Sequence, residues 1–252
     1  TLELNNMALQ NYSKGKAHKI TSEERLLELE SEAIQFIKDF IKTSPRNVIA
    51  FSGGKDSIVA SYIAKNLGVV DAINDSSFMF TRCKKETIQI AELFGLRLKT
   101  KANLDFNWLK KNPQYCQPPM KLQPSLYGKR QQKTVKSYAK KNGFTGVLYG
   151  RRKQENNVRS GLYSLANGQW QCHPLINWTT NDIWSYIDSR KLPSPHLYTH
   201  EIGIKKGYTS YLLPPEHFEG NVWKAIYDYE PEVVYKFAEF FPPAKAYLDL
   251  IK

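Results

Sequence analysis

The sequence is poor in cysteine and has no long apolar run, and each absence excludes a class of protein. The three cysteines stand at positions 83, 116 and 172 of the 252-residue chain, without a C-x-x-C pair. Neither a local zinc site nor a redox dithiol is indicated, so reduced and partly buried thiols are expected. No stretch approaches the roughly 18 apolar residues of a membrane span, and the amino terminus lacks the apolar core of a signal peptide. We therefore expect a soluble, cytoplasmic protein with no membrane partner.

Acidic residues are also scarce relative to basic ones. Lys and Arg number 36 against 24 for Asp and Glu, which gives a formal net charge of +12 and a pI near 9.4. This excess of cations favours polyanionic partners such as nucleotides or nucleic acid. Apolar residues make up 41% of the chain and aromatic residues 13%. Such a composition can form the core of one large domain, or of one domain with a small appendage.

Residues 47–68, NVIAFSGGKDSIVASYIAKNLG, have the pattern of a strand, a glycine loop and a helix. The apolar run 48–51 has the length of a buried strand, and apolar residues return at helical spacing from Ile58. Such a junction directs backbone N–H groups and the positive end of the helix dipole toward one point, which suits phosphate. Six residues form the predicted anion site: Ser52, Gly53, Gly54, Lys55, Asp56 and Ser57.

The glycine loop is not a Walker A motif, because its lysine follows the second glycine directly. Within the predicted site Lys55 supplies a point charge, and Asp56 supplies an oxygen ligand for Mg²⁺. The alternative is a structural turn in which Ser52 or Asp56 caps the helix. The presence of two serines, a lysine and an aspartate together favours the phosphate site over that alternative.

Strands and helices alternate through the middle of the chain. Further strands are predicted at 77–81, 96–101 and 145–149, with a helix at 85–94 between the first two. This alternation predicts a doubly wound α/β fold with a mainly parallel sheet.

Helical additions flank the predicted sheet on both sides. Thr21 and Glu24 have capping-box spacing at the start of a long amphipathic helix, and Thr180 is the predicted N-cap of a later one. Short helices are expected at 221–229, 231–241 and 243–251. We divide the chain into a flexible arm, a nucleotide-binding α/β domain and a helical carboxy-terminal extension, at residues 1–20, 21–210 and 211–252.

Two further groups of residues follow predicted strands, where ligands of parallel sheets bind. Forked guanidinium donors match phosphate oxygens, and Glu155 is placed to hold one of the arginines. The alternative for the second group is a solvated charged loop. The two groups are Phe80, Thr81 and Arg82 after the second strand, and Gly150, Arg151, Arg152, Glu155 and Arg159 after the fourth.

A predicted helix at 125–142 carries a basic face. Residues three or four apart share one face of a helix, and Val135, Tyr138 and Ala139 would pack on the opposite face. Such a stripe could contact a nucleic-acid backbone, whereas a solvated lysine face is the alternative. The four cations of this face are Lys129, Lys133, Lys136 and Lys140.

Four motifs together resemble those of the phosphoadenosine phosphosulfate (PAPS) reductase family, over roughly residues 47–210. They are, in order, SGGKDS, GRRKQENNVR, HPLINWTTNDIWSYI and KLPSPHLY…KKGYTS. The family belongs to the PP-loop ATP pyrophosphatase superfamily, with an adenine-nucleotide α-hydrolase-like fold. The resemblance implies an adenine nucleotide above the strand ends, with its phosphates on residues 52–57. Superfamily members that use ATP cleave it between the α and β phosphates, whereas the reductases attack PAPS or adenosine phosphosulfate (APS) with a thiol.

The chain departs from the reductases in its cysteines. No cysteine follows Cys172, where a reductase carries its nucleophile, and Cys116 stands alone where some members have paired cluster ligands. No iron–sulfur cluster is therefore expected. We predict an enzyme that uses ATP with Mg²⁺ to adenylate an acceptor in nucleic-acid or sulfur chemistry, with Lys55 and Arg152 as catalytic residues.

Two alternatives to this activity stay open. One is a PAPS or APS reductase that uses a non-standard thiol such as Cys116. The other is an inactive, nucleotide-responsive protein that binds nucleic acid or regulates a partner. A homodimer and a separate partner subunit are both compatible with the sequence.

Overall fold

A six-stranded sheet forms the centre of the molecule. The computed structural model describes residues 20–155, 161–166, 168–206, 209–218 and 221–252. In spatial order the strands run β3-β2-β1-β4-β6-β5, and neighbouring strands are parallel except β5 with β6. The strands are β1 (Asn47–Ala50), β2 (Asp71–Asp75), β3 (Arg97–Lys101), β4 (Gly146–Tyr149), β5 (Tyr163–Ala166) and β6 (Gln169–Cys172).

The register of the central strands brings their carboxyl ends to one edge of the sheet. Ala50 of β1 is level with Ile73 of β2 and with Tyr149 of β4. Asn74 of β2 is buried and its side-chain amide donates to the carbonyl of Phe51, 2.9 Å away. The segments that follow β1, β2 and β4 therefore meet at this edge.

Helices cover both faces of the sheet. A π-helical turn at Gln132–Lys136 joins the helix Gln123–Gln131 to the helix Ser137–Lys141. The helices are α1 (Glu23–Thr43), α2 (Lys55–Lys65), α3 (Thr81–Leu93), α4 (Phe106–Lys111), α5 (Gln123–Gln131), α6 (Ser137–Lys141), α7 (Thr180–Ser189), α8 (Glu201–Lys206), α9 (Val222–Tyr229), α10 (Pro231–Ala238) and α11 (Pro242–Leu250).

The helices pack on the two faces of the sheet through apolar side chains. Helices α1, α2, α3 and α7 form a core with the sheet face that contains Ile49 and Leu148. On the other face Val135 and Ala139 pack against Val48 and its neighbours. The predicted doubly wound α/β fold with helical additions is confirmed. No helix in the described part of the chain is both long and apolar enough to cross a membrane.

The carboxy-terminal helices α9 to α11 share a second core with the middle of the chain. Trp223, Val234 and Phe237 are buried there together with Phe78 and Leu109. The extension thus packs on the segments that follow β2 and β3. The division at residue 211 stays a prediction, and residues 1–19 of the predicted arm lie outside the described residues.

The predicted strand at 77–81 is wrong. The strand is the more polar β2, and residues 78–80 instead bury their apolar side chains in the second core. Their apolar run attracted the strand prediction, whereas polar Asp71, Asn74 and Asp75 concealed β2. The predicted helix at 85–94 begins four residues earlier, at Thr81.

Several local predictions also need correction. The cap of α1 is Ser22, whose side chain accepts from the N–H of Arg25. Thr21 instead donates to Asp182, 2.8 Å away. The cap of α7 is Thr179 rather than Thr180, because Thr179 and Asp182 form the capping box. The single helix predicted at 125–142 is interrupted by the π-helical turn, and the hairpin β5–β6 was not predicted.

Candidate functional site

The loop between β1 and α2 is shaped by Gly53. Its φ of +73° lies in the left-handed region that favours glycine. A Cβ at this position would lie 2.0 Å from Thr87 Oγ1 of α3. The loop therefore packs directly on α3, and this contact requires a residue without a side chain.

Two serines hold the loop from within. Ser52 Oγ donates to Ser57 Oγ over 3.1 Å and accepts from the N–H of Gly54 over 3.3 Å. Ser57 Oγ donates to the carbonyl of Gly54 at 2.8 Å. The N-cap residue of α2 is Gly54, which has no side chain to accept from the first turn. Among the described residues, the N–H groups of Asp56 and Ser57 have no protein acceptor, which leaves two donors at the positive end of the helix.

Lys55, Asp56 and Arg152 form a charged row beside the loop. Asp56 accepts from Lys55 Nζ through Oδ2 and from Arg152 Nε through Oδ1, both at 2.6 Å. The side chains of Lys55, Asp56 and Arg152 are 13%, 18% and 2% exposed. Two cations on one carboxylate leave net positive charge. Arg152 is buried beneath Asp56, so Lys55 is the more accessible of the two cations.

Gln154 joins this row to α7. Its Oε1 accepts from Arg152 Nη1 at 2.9 Å, from the N–H of Thr180 at 2.7 Å and from Thr180 Oγ1 at 3.0 Å. Gly150 allows the segment after β4 to approach the first turn of α2, since a Cβ there would lie 2.7 Å from backbone atoms of Asp56. Gly150 was predicted as a site residue, whereas Gln154 was not, because its side chain carries no charge.

Tyr198 is a second residue that sequence analysis missed. It lies in the 3₁₀ helix His196–Thr199, and its buried ring packs edge-to-face on Trp184. Its hydroxyl accepts from the backbone N–H of Lys55 at 2.9 Å. The tyrosine thus holds the first turn of α2. Its motif KLPSPHLY was recognised, but nothing in the spacing marks this residue within it.

Arg151 lies on the opposite side of the chain from Arg152. Its guanidinium stacks 4.2 Å from the ring centroid of Tyr149 and 5.3 Å from that of Tyr127, and Nη2 donates to the Tyr127 hydroxyl at 3.2 Å. His173 packs near the same Tyr149 ring. Burial, and then the Arg151 charge, lower the pKa of His173 to about 4. His173 is therefore neutral at pH 7.

The residues predicted after the second strand stand at the N-terminus of α3. Phe80 is buried in the second core. Glu230 of the carboxy-terminal extension accepts from the Thr81 N–H at 2.8 Å, from Thr81 Oγ1 at 2.7 Å and from the Arg82 N–H at 3.4 Å. These donors are thus occupied by a carboxylate of the protein itself. A nucleotide contact of Phe80, Thr81 and Arg82 stays a prediction.

Glu155 and Arg159 are the last two predicted site residues. Arg159 lies outside the described residues, and the side chain of Glu155 is not described. Nucleotide contacts of Glu155 and Arg159 therefore stay predictions. The structure brings Arg152 to the loop and places Arg151 beside Tyr149.

All three cysteines are buried. Burial raises the pKa of Cys83 to about 12 and that of Cys116 to about 11, and it also raises the pKa of Cys172. A thiolate is the nucleophilic form of cysteine, so none of these thiols is activated at neutral pH. Cys116 in particular belongs to the second core rather than to an exposed loop.

A magnesium site made by the protein alone does not fit these residues. Both carboxylate oxygens of Asp56 already accept from cations, and no group of three metal-ligating side chains occurs among the described residues. Mg²⁺ in proteins is commonly bound by only one or two carboxylates, and substrate phosphates and water supply its other ligands. The assignment of Asp56 as a Mg²⁺ ligand stays a prediction, and no chemical step below depends on it.

These features suit the edge of the sheet at the carboxyl ends of β1, β2 and β4 to binding an anion. Two backbone donors at a helix N-terminus, the Lys55 ammonium and a loop with two glycines lie there together. Asp56 holds the Lys55 ammonium, Arg152 holds Asp56, and Gln154 holds Arg152.

The chain belongs to the PAPS reductase domain family. The sequence profile described as "Phosphoadenosine phosphosulfate reductase domain" matches residues 46–211, more than half of the chain. The family resemblance predicted from the motifs is thereby confirmed, together with membership of the PP-loop superfamily.

Related proteins include sulfate adenylyltransferase subunit 2 of Streptomyces lavendulae, 26% identical over 220 residues, or 75% of this chain and 67% of that protein. The same subunit of Mycolicibacterium vanbaalenii is 27% identical over 195 residues, or 68% of this chain and 63% of that protein. The chain thus spans about two thirds of the length of these relatives. A crystal structure of PAPS reductase from Candida auris, a phosphate complex, has a similar fold, with a TM-score of 0.50 and 17% identity over 72% of this chain and 93% of that one.

Proposed function

We propose that this protein binds ATP at the loop 52–54, cleaves it between the α and β phosphates and transfers the adenylyl group to an acceptor. The observation that carries this proposal is the loop itself. Beside it, at the end of β1, lie the Lys55 ammonium and the N–H groups of Asp56 and Ser57, which have no acceptor among the described residues. Gly53 and Gly54 leave the backbone of the loop open to a triphosphate.

Charge stabilisation is the main contribution of the protein to such a reaction. An acceptor oxygen attacks the α phosphorus, the bond from that phosphorus to the bridging oxygen breaks, and pyrophosphate leaves with the bonding electrons. Negative charge develops on the α phosphoryl group and on the leaving pyrophosphate. Lys55 and the N–H groups of α2 stabilise that charge. Arg152 acts as a positioning residue, because its buried guanidinium holds Asp56, which in turn holds Lys55.

The state of the cysteines favours adenylyl transfer over reduction of PAPS or APS. Reduction by an internal thiol needs an accessible thiolate near the nucleotide, and the three thiols of this chain are buried with raised pKa values. The names of the relatives point the same way, since sulfate adenylyltransferases transfer an adenylyl group to sulfate. Sulfate is therefore the first acceptor to test, and a partner subunit is proposed because the relatives are named as subunit 2.

The first experiment measures binding and pyrophosphate release. Isothermal titration with ATP, an AMP analogue and PAPS is expected to show binding of ATP, and coupled detection is expected to show pyrophosphate release in the presence of an acceptor. Absence of binding by all three ligands would contradict the proposal. Tight ATP binding without pyrophosphate release over a broad range of acceptors would favour the regulatory alternative.

Lys55→Ala is expected to lower pyrophosphate release by about 100-fold or more, as for loss of a charge-stabilising group. The matched control is Lys38→Ala, which removes an exposed lysine of α1. Equal activity of Lys55→Ala and Lys38→Ala would remove Lys55 from the mechanism.

A further inference from the structure

The positive charge of this protein is concentrated in one segment of the chain. Residues 106–154 contain twelve Lys and Arg residues and no Asp or Glu. The formal net charge of the whole chain is also +12, so the remainder of the chain is balanced. Soluble surfaces ordinarily intersperse charges of both signs, and a segment without any carboxylate departs from that pattern.

Most of these cations are exposed and unneutralised. Among the described residues, Arg130 and Arg152 are the members of the segment that pair with a carboxylate, Arg130 with Asp75 and Arg152 with Asp56. The exposed members are Lys110, Lys111, Lys121, Lys129, Lys133, Lys140, Lys141 and Lys153.

The basic surface continues from α5 and α6 onto the edge strand β3. Helices α5 and α6 with their π-helical turn bury Val135 and Ala139 against the sheet, so their lysines point outward. On the edge strand β3, Lys99 and Lys101 share one side. Lys101 Nζ lies 5.5 Å from the ring centroid of Tyr138 of α6, which places that side beside the helix.

The basic surface reaches the candidate site at Tyr127. This tyrosine of α5 is 46% exposed, and its hydroxyl accepts from Arg151 in the segment that follows β4. Arg130, one turn further along the chain, donates to the carboxylate of Asp75 at the carboxyl end of β2 over 2.7 Å. Through Tyr127 and Arg130, helix α5 is thus attached to the same edge of the sheet as the glycine loop.

We propose that this basic surface, made of Lys99, Lys101, half-buried Lys136 and the exposed cations of residues 106–154, binds the backbone of a single-stranded nucleic acid. Lysines contact successive phosphates and release counterions, while the exposed ring of Tyr127 offers a surface on which a base stacks. The strand would run toward the glycine loop. The proposal does not depend on adenylyl transfer, since it concerns binding alone.

The test compares two quadruple variants of equal charge change. Changing Lys129, Lys133, Lys136 and Lys140 to Gln is expected to weaken binding of a fluorescent 20-nucleotide oligonucleotide by roughly tenfold or more at low salt. It should also reduce the slope of log K against log salt by about 0.7 per lost phosphate contact. The control changes four exposed lysines elsewhere to Gln, and it should leave the slope unchanged: Lys38, Lys236, Lys245 and Lys252.

Three results would overturn the proposal. They are absence of oligonucleotide binding by the unmodified protein at low salt, an equal loss in the control variant, and tighter binding to acidic lipid vesicles than to the oligonucleotide. ATP affinity is measured on the same proteins. If ATP binds and the oligonucleotide does not, only this proposal fails; if the oligonucleotide binds and ATP does not, only the proposed function fails.

Discussion

At the scale of single residues, the site depends on two positions where the backbone must approach without a side chain. Gly53 allows the loop to contact Thr87, and Gly150 allows the segment after β4 to contact Asp56. Gly53 has the further constraint of a positive φ. The two contacts bring α3 to the loop and the segment after β4 to the first turn of α2, so the site depends on glycines as well as on charged side chains.

Replacement of Gly53 should therefore be more costly than replacement of another glycine with the same backbone conformation. Gly95 has a φ of +68° and nothing near its would-be Cβ, whereas a Cβ at Gly53 would overlap Thr87. Gly95→Ala is expected to lower the free energy of unfolding by about 1 kcal/mol through backbone strain alone. Gly53→Ala should lower it by about 2 to 4 kcal/mol, because overpacking adds to the strain.

Urea unfolding measures both variants, and titration with ATP separates stability from binding. ATP binding should be lost in Gly53→Ala and kept in Gly95→Ala. If the two variants unfold at the same urea concentration and bind ATP equally, the loop does not make the contact described for Gly53.

At the scale of elements, the N-terminus of α3 links the carboxy-terminal extension to the sheet. Glu230 stands between α9 and α10 and accepts from two backbone N–H groups and one hydroxyl of α3. A carboxylate in this position satisfies helix donors that have no intrahelical partner and interacts favourably with the helix dipole. Because α3 also carries Thr87, the extension supports the glycine loop indirectly.

Loss of this carboxylate should weaken the attachment of the extension. Glu230→Ala is expected to lower the free energy of unfolding by about 1 to 2 kcal/mol, the magnitude of a lost N-cap. Glu239→Ala, which removes an exposed carboxylate of the same extension, is the control and should change stability by less than about 0.5 kcal/mol. Hydrogen exchange of α9 to α11 should quicken in Glu230→Ala, and unchanged exchange would show that the contact does not hold the extension.

Strands and helices were predicted well where a periodic run of apolar residues stands next to glycines in the sequence. The strand β1, the loop and α2 follow from a short apolar run, two glycines and a helical stripe that lie next to each other in the sequence. Strand β2 was missed because Asn74 and Asp75 are polar and find their partners far along the chain, at Phe51 and Arg130. Gln154 and Tyr198 were missed for the same reason, since each acts through contacts that only the folded chain brings together.

At the scale of the whole molecule, the cysteines are distributed through the interior. Cys172 lies in the core that contains Ile49 and Leu148, and Cys83 and Cys116 lie in the second core, which the carboxy-terminal extension shares. A thiol reagent therefore reaches these cysteines only after the packing around them opens. The three thiols thus report opening of the two cores.

We expect the native protein to react slowly with a thiol reagent at pH 8. Burial raises the pKa of Cys83 to about 12 and that of Cys116 to about 11, and it raises the pKa of Cys172 as well, so little thiolate exists in the folded state. In urea the thiols return to their ordinary pKa near 8.5 and all three should react rapidly. ATP, if it stabilises the fold, should slow the reaction of the native protein further. One thiol that reacts rapidly in the native protein would contradict this expectation, and Cys116→Ser would then show whether it is the thiol that a reductase mechanism requires.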